Sequence, residues 1–177
     1  MPVYLFTYHA YLSWMPDHPR GYTKRGVGPM LPDEAMGRNY ERKAACAPTV
    51  LDIVVQTAIV EHVRRIPDFI PIRFYAITTE PSHIHVLCGW DDDRSFESVR
   101  NSVKTSISRR LAELSAGGEP LRLSRGASRS HVDEQDHFDH LMFEYLPKHS
   151  GASWFEDRGT IPARREAWEK RPKRDGP

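Results

Sequence analysis

The sequence has few cysteines and no long apolar run, and each shortage excludes a class of protein. Cys46 and Cys88 are the two cysteines among 177 residues, so no disulfide framework holds the chain together and both are expected to be free thiols in a reducing compartment. No apolar stretch reaches the roughly eighteen residues that a membrane-spanning helix requires. The first residues also lack a basic region followed by an apolar run. We therefore expect a cytoplasmic protein without a membrane partner.

The chain also lacks an excess of positive charge. Lys and Arg number 25, Asp and Glu 24, and the formal net charge is +1. A globally basic surface is therefore excluded, and phosphate contacts would have to come from local clusters. The serine- and arginine-rich stretch 122–129 is one such cluster, and residues 160–177 form a charged tail in which basic and acidic residues alternate.

At 177 residues the chain is most simply one domain, 1–177, which buries about two thirds of its unfolded surface. Aromatic and β-branched residues predict an opening strand over 3–14. Residues 15–48 hold prolines, glycines and charges without sustained periodicity, which predicts a long loop with a short helix near 32–43. A helical period then follows Thr49, which is predicted as the N-cap, and Pro67 closes that helix.

The middle of the chain predicts a hairpin followed by a second helix. Residues 70–79 and 83–90 are predicted as antiparallel strands joined by the turn 80–82. Ser95 caps the next helix, and glycines 117–118 end it. A fourth strand from about Leu121 would complete a ferredoxin-like split βαβ pattern. The predicted class is therefore α+β, with an antiparallel sheet and helices on one face.

A C-terminal helix is predicted after Asp136, with Tyr145 near its end, because apolar residues there lie at helical spacing. Pro147 should end or kink that helix around Leu146. His149 then lies on the following turn or loop.

Two histidines, His83 and His85, lie two residues apart within the strand 83–90. Residues two apart on a strand point to the same face, so the two imidazoles should lie side by side while Ile84, Val86 and Cys88 point to the other face. Imidazole is the commonest protein metal ligand near neutral pH. Taken alone, however, such a pair is more often two histidines that happen to fall in a half-buried strand.

The surroundings of this pair resemble the catalytic strand of the HUH nucleases, in which a hydrophobic residue separates two histidines. The resemblance is to the single-tyrosine transposases in particular, both those of insertion sequences and the REP-associated ones. The turn 80–82 departs from the Met-Pro-Asn type usual in that family. The segment 143–151 resembles the family's nucleophile segment, in which a metal-binding side chain follows a tyrosine by about one helical turn. The resemblance covers most of residues 3–151.

The resemblance implies that Tyr145 is the nucleophile and that His83, His85 and His149 hold a divalent metal. In the family that metal is Mg²⁺ or Mn²⁺, whereas three imidazoles alone would sooner suggest Zn²⁺. The family more often has Gln or Asn where His149 stands. Attack by Tyr145 on DNA would leave a 5′-phosphotyrosine and a free 3′-hydroxyl. A DNA nicking-joining enzyme is thus implied, with single-stranded or hairpin DNA as its partner, and a homodimer that shares its active site stays open.

The candidate DNA contacts are Arg122, Arg125, Arg129 and Lys148, whose charges suit phosphate oxygens. Two other functions stay open at this point. One is a hairpin-binding module that has lost catalysis, which His149 and Pro147 would fit. The other is a zinc-dependent hydrolase, although no acidic residue stands in an H-E-x-x-H-like general-base position. Covalent capture of DNA by Tyr145 would distinguish the nicking-joining enzyme from both of these alternatives.

Overall fold

A six-stranded sheet lies at the centre of the computed structural model, which describes residues 1–24 and 27–163. The elements in chain order are β1 (Val3–His9), β2 (Tyr22–Lys24), β3 (Gly28–Met30), α1 (Glu34–Arg42), α2 (Ile53–Val63), β4 (Arg73–Glu80), β5 (His83–Gly89), α3 (Phe96–Leu114), β6 (Ser128–Val132), α4 (Gln135–Asp139), β7 (Ser153–Phe155) and β8 (Gly159–Ile161). The sheet order is β6-β1-β5-β4-β7-β8, and β2 and β3 form a separate hairpin. Most of the charged tail predicted at 160–177 lies outside the described residues.

The elements β1-α2-β4-β5-α3-β6 form a split βαβ pattern. Strand β5 pairs with β1 on one side and with β4 on the other, and β6 adds to the outer side of β1. All of these pairs are antiparallel. The predicted α+β class with a ferredoxin-like sheet is therefore confirmed.

The two faces of the sheet carry different helices. On one face, α2 and α3 bury the larger apolar cluster against alternate strand residues such as Phe6, Ile84 and Val86. On the opposite face, a smaller cluster joins Leu87 to the helical segment that contains Leu146. Because side chains alternate along a strand, the residues between those of the larger cluster face the second side. Polar side chains of β1 and β5 occupy that side next to the smaller cluster.

The helical segment that carries Tyr145 changes its geometry along its length. Helix α4 continues as a π-helical stretch, His140–Tyr145, and ends in a 3₁₀ turn, Leu146–Lys148. Pro147 lies in the first turn of that 3₁₀ segment, where its missing N–H leaves no hydrogen bond unmade. His149 follows in an extended conformation with φ −69° and ψ 135°. The predicted end of the helix around Leu146 is confirmed.

Two predicted boundaries in the first half of the chain are wrong. The opening strand ends at His9 rather than residue 14, since Leu12 adopts a φ of 58° that a strand cannot contain. Asp52, not Thr49, caps α2, because its side chain accepts the N–H of Val55. Thr49 is buried, and its hydroxyl accepts the backbone N–H of Arg122.

The fourth strand of the split pattern also begins later than predicted. It starts at Ser128, and near Leu121 the chain makes only an isolated bridge between Leu123 and Ala10. The sequence pattern does not indicate strands β7 and β8, because each has three residues and such short segments show no alternation. Both cysteines are free, and Cys88 is buried. Within 1–24 and 27–163, no helix is long and apolar enough to cross a bilayer.

Candidate active site

The structure brings His83, His85 and His149 together on the sheet face opposite α2 and α3. One nitrogen of each ring lies within 4.8 Å of the corresponding nitrogen of the other two. The ring centroids of His83 and His85 are 4.6 Å apart, as are those of His85 and His149. Strand β5 supplies the first two residues, and the chain following Pro147 supplies the third. One chain therefore contributes the whole cluster.

Hydrogen bonds orient the three imidazoles. The hydroxyl oxygen of Thr7 lies 2.8 Å from Nδ1 of His85, and that of Ser82 lies 2.9 Å from Nδ1 of His83. Nδ1 of His149 donates to the carbonyl oxygen of Leu146 at 3.1 Å. Since a carbonyl can only accept, Nδ1 of His149 carries a proton and Nε2 keeps its lone pair in the neutral ring. Metal-binding histidines are commonly oriented through their second nitrogen in this way.

The buried position of His85 determines its charge. Burial, together with the neighbouring His83 and His149, lowers the pKa of His85 to about 2. The side chain is therefore neutral at physiological pH, and the neutral imidazole is the form that binds a metal. The three imidazoles of His83, His85 and His149 could thus hold a metal ion.

Tyr145 lies directly beside this cluster. Its Oη is 3.4 Å from Nε2 of His85, and its ring centroid is 5.1 Å from that of His149. The side chain is 37% exposed, so a substrate can reach it. Partial burial raises the pKa of Tyr145 above its ordinary value. The phenol is therefore protonated at neutral pH and needs a cation or a base before it can act as a nucleophile.

The loop 149–152 is held in place by strand β4. Oε1 of Glu80 accepts hydrogen bonds from the N–H and the hydroxyl of Ser150, at 2.6 and 3.1 Å. A Cβ on Gly151 would lie 1.9 Å from the carbonyl oxygen of Thr79, so only glycine fits there. The hydroxyl of Thr79 donates to the carbonyl oxygen of Ala152 at 2.6 Å. These contacts hold His149 against β5, and no pattern in the sequence indicates Glu80 or Gly151 for this role.

His9 is a further histidine at the site that sequence reasoning missed. It lies on β1 directly opposite His83, and the two ring centroids are 5.9 Å apart. Its Nδ1 is buried and has no hydrogen-bond partner among the described residues. Burial also lowers the pKa of His9. The register between β1 and β5 brings His9 near the other histidines. Sequence reasoning missed His9 because nothing in its local sequence relates it to His83.

The predicted DNA contacts do not form one surface. Arg122, Arg125, Arg129 and Lys148 are all exposed. Lys148 immediately precedes His149, whereas the guanidinium of Arg129 lies 3.5 Å from the ring centroid of Phe96, at the start of α3. Arg129 therefore lies on the face opposite the histidines. The backbone carbonyl of Arg125 accepts a hydrogen bond from Lys104 of α3, so that segment also packs toward the α3 side.

The similarity of this chain to known proteins is in the three-dimensional structure. No protein-family model and no curated protein matches the chain. A solved structure of a REP-associated tyrosine transposase bound to a REP hairpin is similar at a TM-score of 0.42 and 10% identity, over 80% of this chain and 62% of that chain. A protein from Deinococcus radiodurans R1 described as a putative transposase is similar at a TM-score of 0.48 and 12% identity, over 80% of this chain and 86% of that chain. The chain thus spans less than two thirds of the length of the first structure.

Proposed function

We propose that this protein is a metal-dependent DNA nicking-joining enzyme of the transposase type, which cuts single-stranded DNA through a phosphotyrosine at Tyr145 and recognises hairpin DNA. The observation that carries the proposal is the 3.4 Å distance between Oη of Tyr145 and Nε2 of His85, within a cluster of three histidines. A tyrosine that served only packing would need neither this cluster nor a reachable hydroxyl.

His83, His85 and His149 would hold the divalent metal. A metal bound there supplies Lewis-acid stabilisation of the negative charge that builds on phosphate oxygens. Three nitrogen donors suit Zn²⁺, whereas the sequence resemblance implies Mg²⁺ or Mn²⁺. Titration with each ion decides between them.

The chain's own residues would carry the transfer. Oη of Tyr145 forms a bond to phosphorus as the bond to the 3′-oxygen breaks, and the phenolic proton is lost to solvent, to which the side chain is open. The departing oxygen takes up a proton and becomes the free 3′-hydroxyl. Because the phosphodiester energy is kept in the phosphotyrosine bond, a second 3′-hydroxyl can reverse the step and join a new strand without ATP.

The basic side chains would contact phosphates of the bound DNA. Lys148 is next to the site, whereas Arg122 and Arg125 belong to the segment that leads into β6, and Arg129 lies within β6, an edge strand of the sheet. A hairpin bound to these arginines would therefore reach around the β6 edge toward the histidines. In this structure the histidine cluster and Tyr145 come from one chain.

Covalent capture of DNA tests the proposal. Labelled single-stranded hairpins from the flanks of the protein's own gene are incubated with wild type and metal, followed by denaturing electrophoresis. Wild type should give a band that resists denaturant, and mass spectrometry should place the nucleotide adduct on Tyr145. The Tyr145→Phe variant should give neither adduct nor cleavage, while Tyr40→Phe, at an exposed position on α1, should behave as wild type.

The other results have distinct meanings. Cleavage that persists in Tyr145→Phe without an adduct would identify water as the nucleophile and the protein as a metal-dependent hydrolase. Hairpin binding by wild type without any cleavage would identify a binding module that has lost catalysis.

A further inference from the structure

A row of aromatic rings leads from the histidine cluster to the protein surface. The ring of His9 is 5.9 Å from that of His83 and 6.0 Å from that of Trp14. Trp14 in turn stacks on His18, with centroids 4.1 Å apart and planes 15° from parallel. Yet Trp14 is 44% exposed. Packing in a core therefore does not explain why this large ring is held here.

The surrounding loop fixes the orientation of Trp14. Its Nε1–H donates to the carbonyl oxygen of Gly21 at 3.1 Å, and the backbone N–H of Arg20 donates to Nδ1 of His18 at 3.1 Å. Gly21 itself has a φ of +73°, and a Cβ there would lie 2.0 Å from the carbonyl oxygen of Met30. The indole is thus oriented before any ligand binds, which lowers the entropy lost on binding.

Trp14 and Tyr145 lie at different ends of the cluster. Tyr145 contacts the rings of His85 and His149, whereas Trp14 reaches His83 through His9. In an in-line displacement, the attacking and leaving oxygens lie on opposite sides of the phosphorus. A phosphate attacked by Tyr145 at the cluster would therefore direct its leaving strand toward Trp14.

We propose that Trp14, backed by His18, is a stacking platform for the base of the nucleotide that departs with the free hydroxyl. This inference rests on the proposed function and states how the same site holds its substrate. Aromatic side chains bind single-stranded DNA in this way, because every base has a face on which an aromatic ring can stack. Arg20, exposed at the same loop, supplies positive charge for an adjoining phosphate. The platform selects an unpaired base rather than a particular sequence.

Affinity for single-stranded DNA, measured in EDTA so that no cleavage occurs, tests the platform. Fluorescence anisotropy with a labelled oligonucleotide that spans the mapped cleavage position should show about tenfold weaker binding by Trp14→Ala. Trp14→Phe retains a ring and should lose less, which separates stacking from damage to the loop. The matched control is Phe69→Ala, which removes an aromatic ring that is 86% exposed and lies beside α3. Its affinity should equal that of wild type.

An abasic nucleotide locates the stacked base. Wild type should lose about tenfold in affinity when the base is missing on the leaving side of the cut, and Trp14→Ala should lose nothing further. Equal affinity of wild type and Trp14→Ala for the intact oligonucleotide would overturn the platform while leaving the proposed function standing. A wild type that binds no single-stranded DNA would overturn the proposed function as well.

Discussion

Thr7 and Leu146 determine how two of the clustered histidines present their nitrogens. Thr7 is buried on β1, and its hydroxyl lies 2.8 Å from Nδ1 of His85. The carbonyl of Leu146 plays the equivalent part for His149. In the tautomer that carries its proton on Nδ1, each of these two rings keeps the lone pair of Nε2 available for a metal. The ability of the cluster to bind a metal thus depends on Thr7 and Leu146 as well as on the imidazole rings.

Replacing Thr7 by Val should weaken metal binding by about tenfold, since Val has a similar shape but cannot hold Nδ1 of His85. Isothermal titration calorimetry with Zn²⁺ and Mn²⁺ measures the change. Thr7→Ser keeps the hydroxyl and serves as the matched control, with affinity near that of wild type. An unchanged affinity in the Val variant would remove Thr7 from the account of the site.

Replacing Gly151 by Ala should destabilise the fold by about 1–3 kcal/mol, because the added methyl group meets backbone and forces the chain to move. The contact in question is 1.9 Å from the carbonyl oxygen of Thr79. Urea unfolding measures the free energy. Gly126→Ala is the control, since a Cβ at Gly126 meets nothing within 4 Å. If both variants are equally stable, the close approach at Gly151 does not constrain the loop 149–152.

At the scale of elements, the change of helical geometry before Pro147 decides where Tyr145 and His149 lie. Tyr145 ends the π-helical stretch, and the 3₁₀ turn then redirects the chain so that His149 is extended. A continuous α-helix would give the two residues a fixed one-turn spacing instead. Short π-helical stretches within helices occur frequently at functional sites.

Pro147→Ala should therefore weaken metal binding while changing global stability little. The new residue has an N–H and lets the helix extend, which draws His149 away from β5. Calorimetric titration gives the metal affinity, and thermal unfolding without metal gives the stability. The matched control is Pro120→Ala, at an exposed position after α3. Wild-type affinity in Pro147→Ala would show that the contacts between β4 and the loop 149–152 place His149 without help from Pro147.

At the scale of the whole molecule, metal binding and folding should be linked. The cluster joins β5 to the chain after the last helical turn, so a metal that binds only the folded form raises its stability. With Zn²⁺ at about a hundred times its Kd, the stabilisation should be about 2.7 kcal/mol. Thermal unfolding with metal, and after removal by EDTA, measures it.

Alanine variants of the clustered histidines test this linkage. His149→Ala should lose most of the metal-dependent increase in Tm, and His83→Ala and His85→Ala should also lose metal-dependent cleavage. His131→Ala, at an exposed residue of β6, is the control and should keep both. A metal-dependent increase in Tm that survives all of the cluster variants would place the ion elsewhere.

The near-neutral charge leads to a prediction about the DNA. With a net charge of +1, the protein gains little from duplex phosphates alone, so it should prefer a single-stranded hairpin. The logarithm of the affinity should fall with the logarithm of salt concentration by only about 0.7 per phosphate contact. Anisotropy titrations at several salt concentrations measure this slope. Equal affinity for blunt duplex of the same sequence would count against the transposase proposal.

Local pattern alone determined much of this protein. The alternation along β5 put His83 and His85 on one face, the cap at Ser95 and the period of α3 defined the long helix, and Pro147 ended the last one. These features depend on residues a few positions apart, which interact in any context. The same reasoning failed at Thr49, because its hydroxyl bonds to a residue 73 positions away in the sequence.

Only the tertiary structure decided which distant residues meet. His9 faces His83 because of the register between β1 and β5, and Glu80 holds the loop that carries His149. Arg129, a predicted DNA contact, lies over Phe96 on the face opposite the histidines. The physical reason is that strand register and chain crossing are set by burial summed over the whole sheet, a quantity that no local window of sequence contains.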